Sequence, residues 1–387
     1  MHDLMPFSGA KQTGKDDCSQ PFGAAYNPSI CVENMIRGAC KPMKVKAEQE
    51  MTRAPRHKIP ASWIVFAMLS LLGWSAHAQS CQTSSDMDEA TRSAISTAAQ
   101  RYFTMAAGGD TASLHQNAIP SLAGDFSGTE GLVKARQPDL VGAQATVKSL
   151  FLLDEQGVAP DPNAEFFCGV FGKNGPTPTA AKFYLNDLPP GKYAIALMSS
   201  ASPKAQVNFS LILQQEGAEW KLGNLFIKPM QIAGHDSDWF AAQARQYKAK
   251  GQIHNASLYY QEARNLITPM PFIGTSATDK LYDEAETAHP EDFPSDGKTV
   301  DLVDKGATYK ISEIYPALFG NDLDVVVKYQ VPDATNANEC FQSNMAIMKA
   351  LLAKYPELRE AFPGIDARAV DANGRNYGTL MPIKDIK

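Results

Sequence analysis

The chain is poor in the residues that mark common catalytic centres. Its 387 residues hold only 7 His and 6 Cys. Neither His-x-x-x-His nor His-Glu-x-x-His occurs, so the spacing of a zinc hydrolase is missing. No Cys-x-x-Cys pair is present to make a redox motif or a zinc site, and no glycine loop is built to cradle phosphate. No metal and no cofactor is expected. A basic stripe is missing too: 36 Lys/Arg stand against 42 Asp/Glu, a net charge of −6. That balance excludes a nucleic-acid partner that tracks phosphates. The one long uncharged apolar run, Ile64 to Trp74, is short of the roughly 20 residues a spanning helix needs.

That run belongs to an export signal. Arg53, Arg56 and Lys58 precede it, and Ala76-His77-Ala78 follows with small residues for cleavage before Gln79, the order a secretory signal requires. Counted from Met51 its length is that of a signal peptide. Residues 1–50, without a sustained apolar period, read as a disordered extension or a mis-called start, and 51–78 as the signal peptide. Two alternatives remain: an uncleaved anchor, which would be the only membrane contact, and a lipoprotein lipidated on Cys81. The expected location is periplasmic or extracellular. Nine of the Lys/Arg and six of the Asp/Glu precede Gln79, so the exported part carries −9.

Cys81, Cys168 and Cys340 remain in that part. Three thiols allow three pairings and leave one over, so the spacing implies no disulfide framework. Cys168, inside "EFFCGVFG", reads as a small buried hydrophobe.

From Ser85 to Ala107, Met87, Ala90, Ala94, Ile95, Ala98, Tyr102 and Phe103 recur along one helical face, with Ser85 or Asp86 to cap it and Gly108-Gly109 to end it. A second short helix broken by Pro120 follows. From Ala145 the period changes to two. Six segments between 145 and 228 alternate and are separated by Gly, Pro and Asp clusters, which predicts one antiparallel sheet covered by the helix.

The long helix ending in "AAGGDTASL", the broken helical stretch and the strands closing on "EWKLGNLFI" resemble the nuclear transport factor 2-like superfamily over 85–230. Its members include ketosteroid-isomerase-like enzymes, small-ligand binders and catalytically silent adaptors. The resemblance implies a helix in a curved sheet with a cavity between them. An isomerase there needs a carboxylate base and a Tyr or acid donor. Tyr102, Asp110, Asp125, Tyr184 and Asp187 are the available types, and Tyr102, Asp110 and Tyr184 are the candidate catalytic residues. Each also has a structural reading: turn chemistry for Asp110 and Asp187, apolar face for Tyr102.

"DWFAAQARQYKAKGQIHNASLYYQEARNLITP" resembles one tetratricopeptide repeat, carried by Phe240, Ala244, Tyr247, Gly251, Ala256, Tyr260, Ala263 and Pro269. Small residues let two antiparallel helices approach, and Gly251 turns the chain. A single repeat offers no extended concave surface, so a spacer between domains is expected. In "AGHDSDW", Asp236 or Asp238 reads as a helix cap rather than a metal ligand.

Residues 271–300 read as a linker or an ordered strap. Beyond them a hairpin around Gly320-Asn321-Asp322, a helix from about Asn338 to Tyr355, a short helix after Pro356 and a type I′ hairpin around Asn373-Gly374 predict a small α+β domain. The fold class is therefore α+β: first domain 79–232, helical hairpin 233–270, linker 271–300, C-terminal domain 301–387. The expected function is that of an exported, non-catalytic ligand-binding or protein-interaction protein, with a protein or small molecule as partner. The alternative is an isomerase-like or hydrolytic enzyme in the cavity of the first domain.

Overall fold

The structure, a computed structural model, describes residues 79–171, 175–295 and 297–387. The signal segment and the stretch before it lie outside the described residues. The fold is α+β, as expected.

The first domain opens with a strand absent from the sequence reading, β1 (Ser80–Thr83). The long helix α1 (Glu89–Gly108) starts later than expected, because Asp88 is its cap: the Asp88 carboxylate accepts the Thr91 N–H at 2.9 Å. Asp86 instead accepts the N–H and hydroxyl of Thr83. Three short helices follow, α2 (Thr111–Gln116), α3 (Pro120–Gly124) and α4 (Ser127–Leu140). Pro120 opens α3 rather than breaking a helix, since a first-turn N–H has no partner to lose.

The expected single sheet over 145–228 is two sheets. β2 (Gln144–Glu155), β5 (Gly191–Ala201), β6 (Gln206–Glu216) and β7 (Glu219–Pro229) join β1 in the order β1-β2-β5-β6-β7. β3 (Ala164–Cys168) and β4 (Ala181–Leu185) form a second sheet with β10 (Ile273–Thr275). One face of the larger sheet packs on α1, with Phe103 edge-on to Phe209 at 5.2 Å. The other face packs on the smaller sheet, with Phe151 edge-on to Phe183 at 5.0 Å. The smaller sheet exists because both faces of the larger one are apolar and each needs cover. Cys81 on β1 is disulfide-bonded to Cys168 on β3, which corrects the reading of Cys168 as a free hydrophobe. Cys340 stays a free, buried thiol.

A two-strand ribbon, β8 (Gln231–Ile232) and β9 (His235–Asp236), leads into the hairpin α5 (Ser237–Ala249) and α6 (Ile253–Ile267). Asp236 caps α5 by accepting the Trp239 N–H at 2.9 Å, and Gly251 turns the chain at φ 77°. The hairpin is not a spacer: Phe240, Ala244, Ala256 and Tyr259 share one core with the C-terminal sheet. Of the two readings of 271–300, the ordered strap is the one observed: it supplies β10 and α7 (Ser276–Glu286), the latter opened by a capping box on Thr275.

The C-terminal sheet runs β11 (Val300–Asp304), β12 (Ala307–Phe319), β13 (Asp322–Gln330), β14 (Gly364–Val370), β15 (Asn376–Pro382). β13 and β14 are parallel, joined across α8 (Ala337–Lys354) and the short α9 (Leu358–Ala361). Such a pair needs a crossover connection, and the amphipathic α8 is that connection. The β14–β15 turn is not type I′: the loop spans 371–375 and only Gly374 has positive φ. The Asp371 carboxylate organises it, accepting the N–H of Asn373 and of Arg375.

Candidate functional site

The space between α1 and its sheet, where the resemblance implies a cavity, is filled by Tyr102, Phe103, Leu114, Phe209 and Leu213. Open volume lies instead at the flank of α1. A groove of about 380 Å³ runs between the first turns of α1 and strand β2, lined by Glu89, Arg92, Ser93, Ser96 and Thr97 from the helix, by Val147, Lys148 and Leu150 from the strand, and by Ser84.

Its shape follows from two local features. β1 pairs with β2 only from Phe151 to Asp154 and then turns away. The Ser84 side chain replaces the next ladder step, its hydroxyl accepting the Leu150 N–H at 3.1 Å and donating to the Leu150 carbonyl at 3.2 Å. On the far side Gln100 covers the open edge by donating to the Ala145 carbonyl at 3.1 Å. Between these points β2 bulges: Val147 pairs with Met198 and Ser149 with Leu197, leaving Lys148 as the extra residue. A bulge puts two consecutive side chains on one side of a strand, which a regular strand cannot do. Val147 and Lys148 both line the groove as a result.

The polar groups there are underused. Arg92 pairs with Glu89 and donates to the Ser84 carbonyl at 3.1 Å. Ser93, Ser96, Thr97 and Lys148 make no side-chain hydrogen bond or ion pair with another described residue. With Glu89 set against Arg92, the charge left over belongs to Lys148.

The sequence candidates lie elsewhere and are not brought together. Tyr102 is buried, its hydroxyl donating to the Trp220 carbonyl at 2.9 Å; burial pushes its phenol up. Asp110 is exposed and caps α2, accepting the Ser113 N–H at 3.0 Å, and bonds from Ser113 hold its carboxyl below the usual range. Tyr184 is 46 % exposed on the outward face of the small sheet. Asp125 closes α3, and Asp187 sits in a turn at φ 51°. Among the described residues no group of three His, Cys, Asp or Glu side chains is placed to hold a metal ion.

The groove has no apolar periodicity to mark it, because its helical residues belong to the polar face of α1. One signal was present. Ala145 and Val147 share one parity and Leu150 has the other, yet all three pack toward the helix. That parity break is the bulge. No family model matches the chain, and neither a curated protein nor a solved structure matches it.

Proposed function

We propose that the protein is an exported, non-catalytic binding protein whose α1–β2 groove takes a small, hydroxylated anion. One observation carries this reading: a bulge turns Lys148 into a groove that already holds Arg92 and three hydroxyls without partners. Such a donor set answers a carboxylate or phosphate flanked by hydroxyls. Export is supported by the Cys81–Cys168 disulfide, since such bonds persist in oxidising compartments.

Citrate and glucose 6-phosphate are suitable probes, titrated against the labelled protein and followed by amide NMR. The expected shifts fall at 89–97 and 147–150 and disappear in the Arg92→Ala/Lys148→Ala variant. Equal binding by that variant, or shifts confined to other segments, sinks the proposal.

A further inference from the structure

His254, at the start of α6, is held between two carboxylates. Its Nδ1 lies 2.5 Å from Glu357 Oε1 and its Nε2 lies 2.9 Å from Asp292 Oδ1. The ring is largely buried, packed on Tyr355 at 4.1 Å and on Phe293 at 5.1 Å. A neutral imidazole carries one N–H, so it donates to one carboxylate and turns a lone pair toward the other. Only the imidazolium donates to both.

The two acids come from different parts of the chain. Asp292 belongs to the turn before β11, and Glu357 to the corner between α8 and α9. Lys354 also faces Asp292, at 3.5 Å, and the Tyr355 hydroxyl donates to the Asp292 carbonyl at 3.1 Å. Next along the interface Lys250 pairs with Glu360. Burial works against the Asp292 anion, but bonds from His254 and Tyr355 and the Lys354 charge hold its carboxyl below the usual range. Uncharged bonds cross the same interface: the Asn255 amide donates to the Glu357 carbonyl at 2.7 Å and Tyr259 to the Ala361 carbonyl at 2.9 Å.

We propose that His254 is a pH-operated latch. Doubly protonated, it ties the 288–295 turn and the α8–α9 corner to the helical hairpin. When one proton leaves, a lone pair faces a carboxylate and the two segments loosen, while the Asn255 and Tyr259 bonds keep the α8–α9 corner on the hairpin and the Tyr355 bond keeps the turn on that corner. Histidine suits this task because its ring carries either one or two N–H groups, so the same two carboxylates are bonded once or twice.

The test is hydrogen exchange of 288–295 and 355–361 across pH, corrected for the intrinsic base-catalysed rate, with the proton count of His254 read from its ring ¹⁵N shifts. An opening that releases one proton grows by up to about tenfold per pH unit. The expected result is that protection falls with the loss of the second ring proton. Glu357→Gln is the decisive variant, because a Gln amide donates to a neutral Nδ1 and removes the need for the second proton. Its exchange should be flat with pH while the corner stays closed. A neutral His254 in a closed corner of the unmodified protein overturns the proposal, as does a pH profile that Glu357→Gln leaves unchanged.

Discussion

Two carboxylates in the C-terminal sheet lean over glycines of the next strand. A Cβ on Gly364 would meet Asp324 Oδ1 at 2.8 Å, and one on Gly378 would meet Asp366 Oδ1 at 3.2 Å. Gly364 is thus required by its neighbour rather than by its own backbone angles. Gly364→Ala should cost about 1–3 kcal/mol in urea unfolding, the usual cost of overpacking, and Asp324→Ala in the same chain should return part of it. A second residue-scale effect lies where β7 meets α6. Lys228 Nζ donates to the carbonyls of Asn265 and Thr268, each at 2.7 Å, closing the C-terminal end of α6. Burial lowers Lys228 to about 8 and raises Glu262 to about 7. The raised acid gives stability that is complete below its ordinary value of 4.5 and is lost as pH rises through 7. The depressed lysine gives stability that is lost as pH falls through 8 and is complete above 10.5. This pair therefore puts a minimum near neutral pH. Glu262→Gln should flatten the acid limb, removing about 3 kcal/mol of change between pH 4.5 and 7 in denaturant titrations.

Among elements, β1 is the shortest strand of the large sheet, and the disulfide to β3 ties it across the two sheets. The bond closes a separation of 87 residues. Cys81→Ser with Cys168→Ser should therefore lower stability by about 2–5 kcal/mol in urea unfolding without reductant. A smaller loss would mean that the sheets hold β1 without it. What the sequence disclosed about elements follows their locality. The apolar face of α1 and the small residues of the α5–α6 hairpin were legible, because the partners lie within one helix or one turn. The division of the strands was not, since β3 and β4 alternate as any half-buried strand does; their separation depends on β10, which lies some ninety residues further on. Helix α4 was hidden by Gly128, Gly131 and Pro138 and by having only Val133 and Leu140 buried. The groove was illegible as a site because one wall is a polar helix face, ordinarily just solvated.

At the scale of the whole molecule, the chain is two bodies joined by pairing, charge and apolar contact. The α1 core and the sheet-on-sheet core form one body, while the hairpin, α8 and the C-terminal sheet form another. β10 pairs with β4, Lys182 meets Asp279 at 2.9 Å, Lys228 reaches α6, and Met270 and Ile273 pack into the sheet-on-sheet core, so pairing, charge and apolar contact all link the bodies. The first body holds both bonded cysteines. The second holds Cys340, 2 % exposed, its thiol 3.8 Å from the Asp333 carbonyl and pushed up by burial. In the folded protein that thiol is inert. During oxidative refolding of a chain trimmed to residues 79–387 it is a competitor: until α8 packs, Cys340 is as free to attack as Cys81 and Cys168, and a mixed bridge would join the two bodies in the wrong order. The sequence of events, rather than the final energies, then sets the yield. Refolding from the reduced, denatured state under a glutathione buffer should give mispaired species that resolve slowly through thiol exchange. Cys340→Ser should remove that slow phase and raise the recovered fraction, while leaving the final stability nearly as it was.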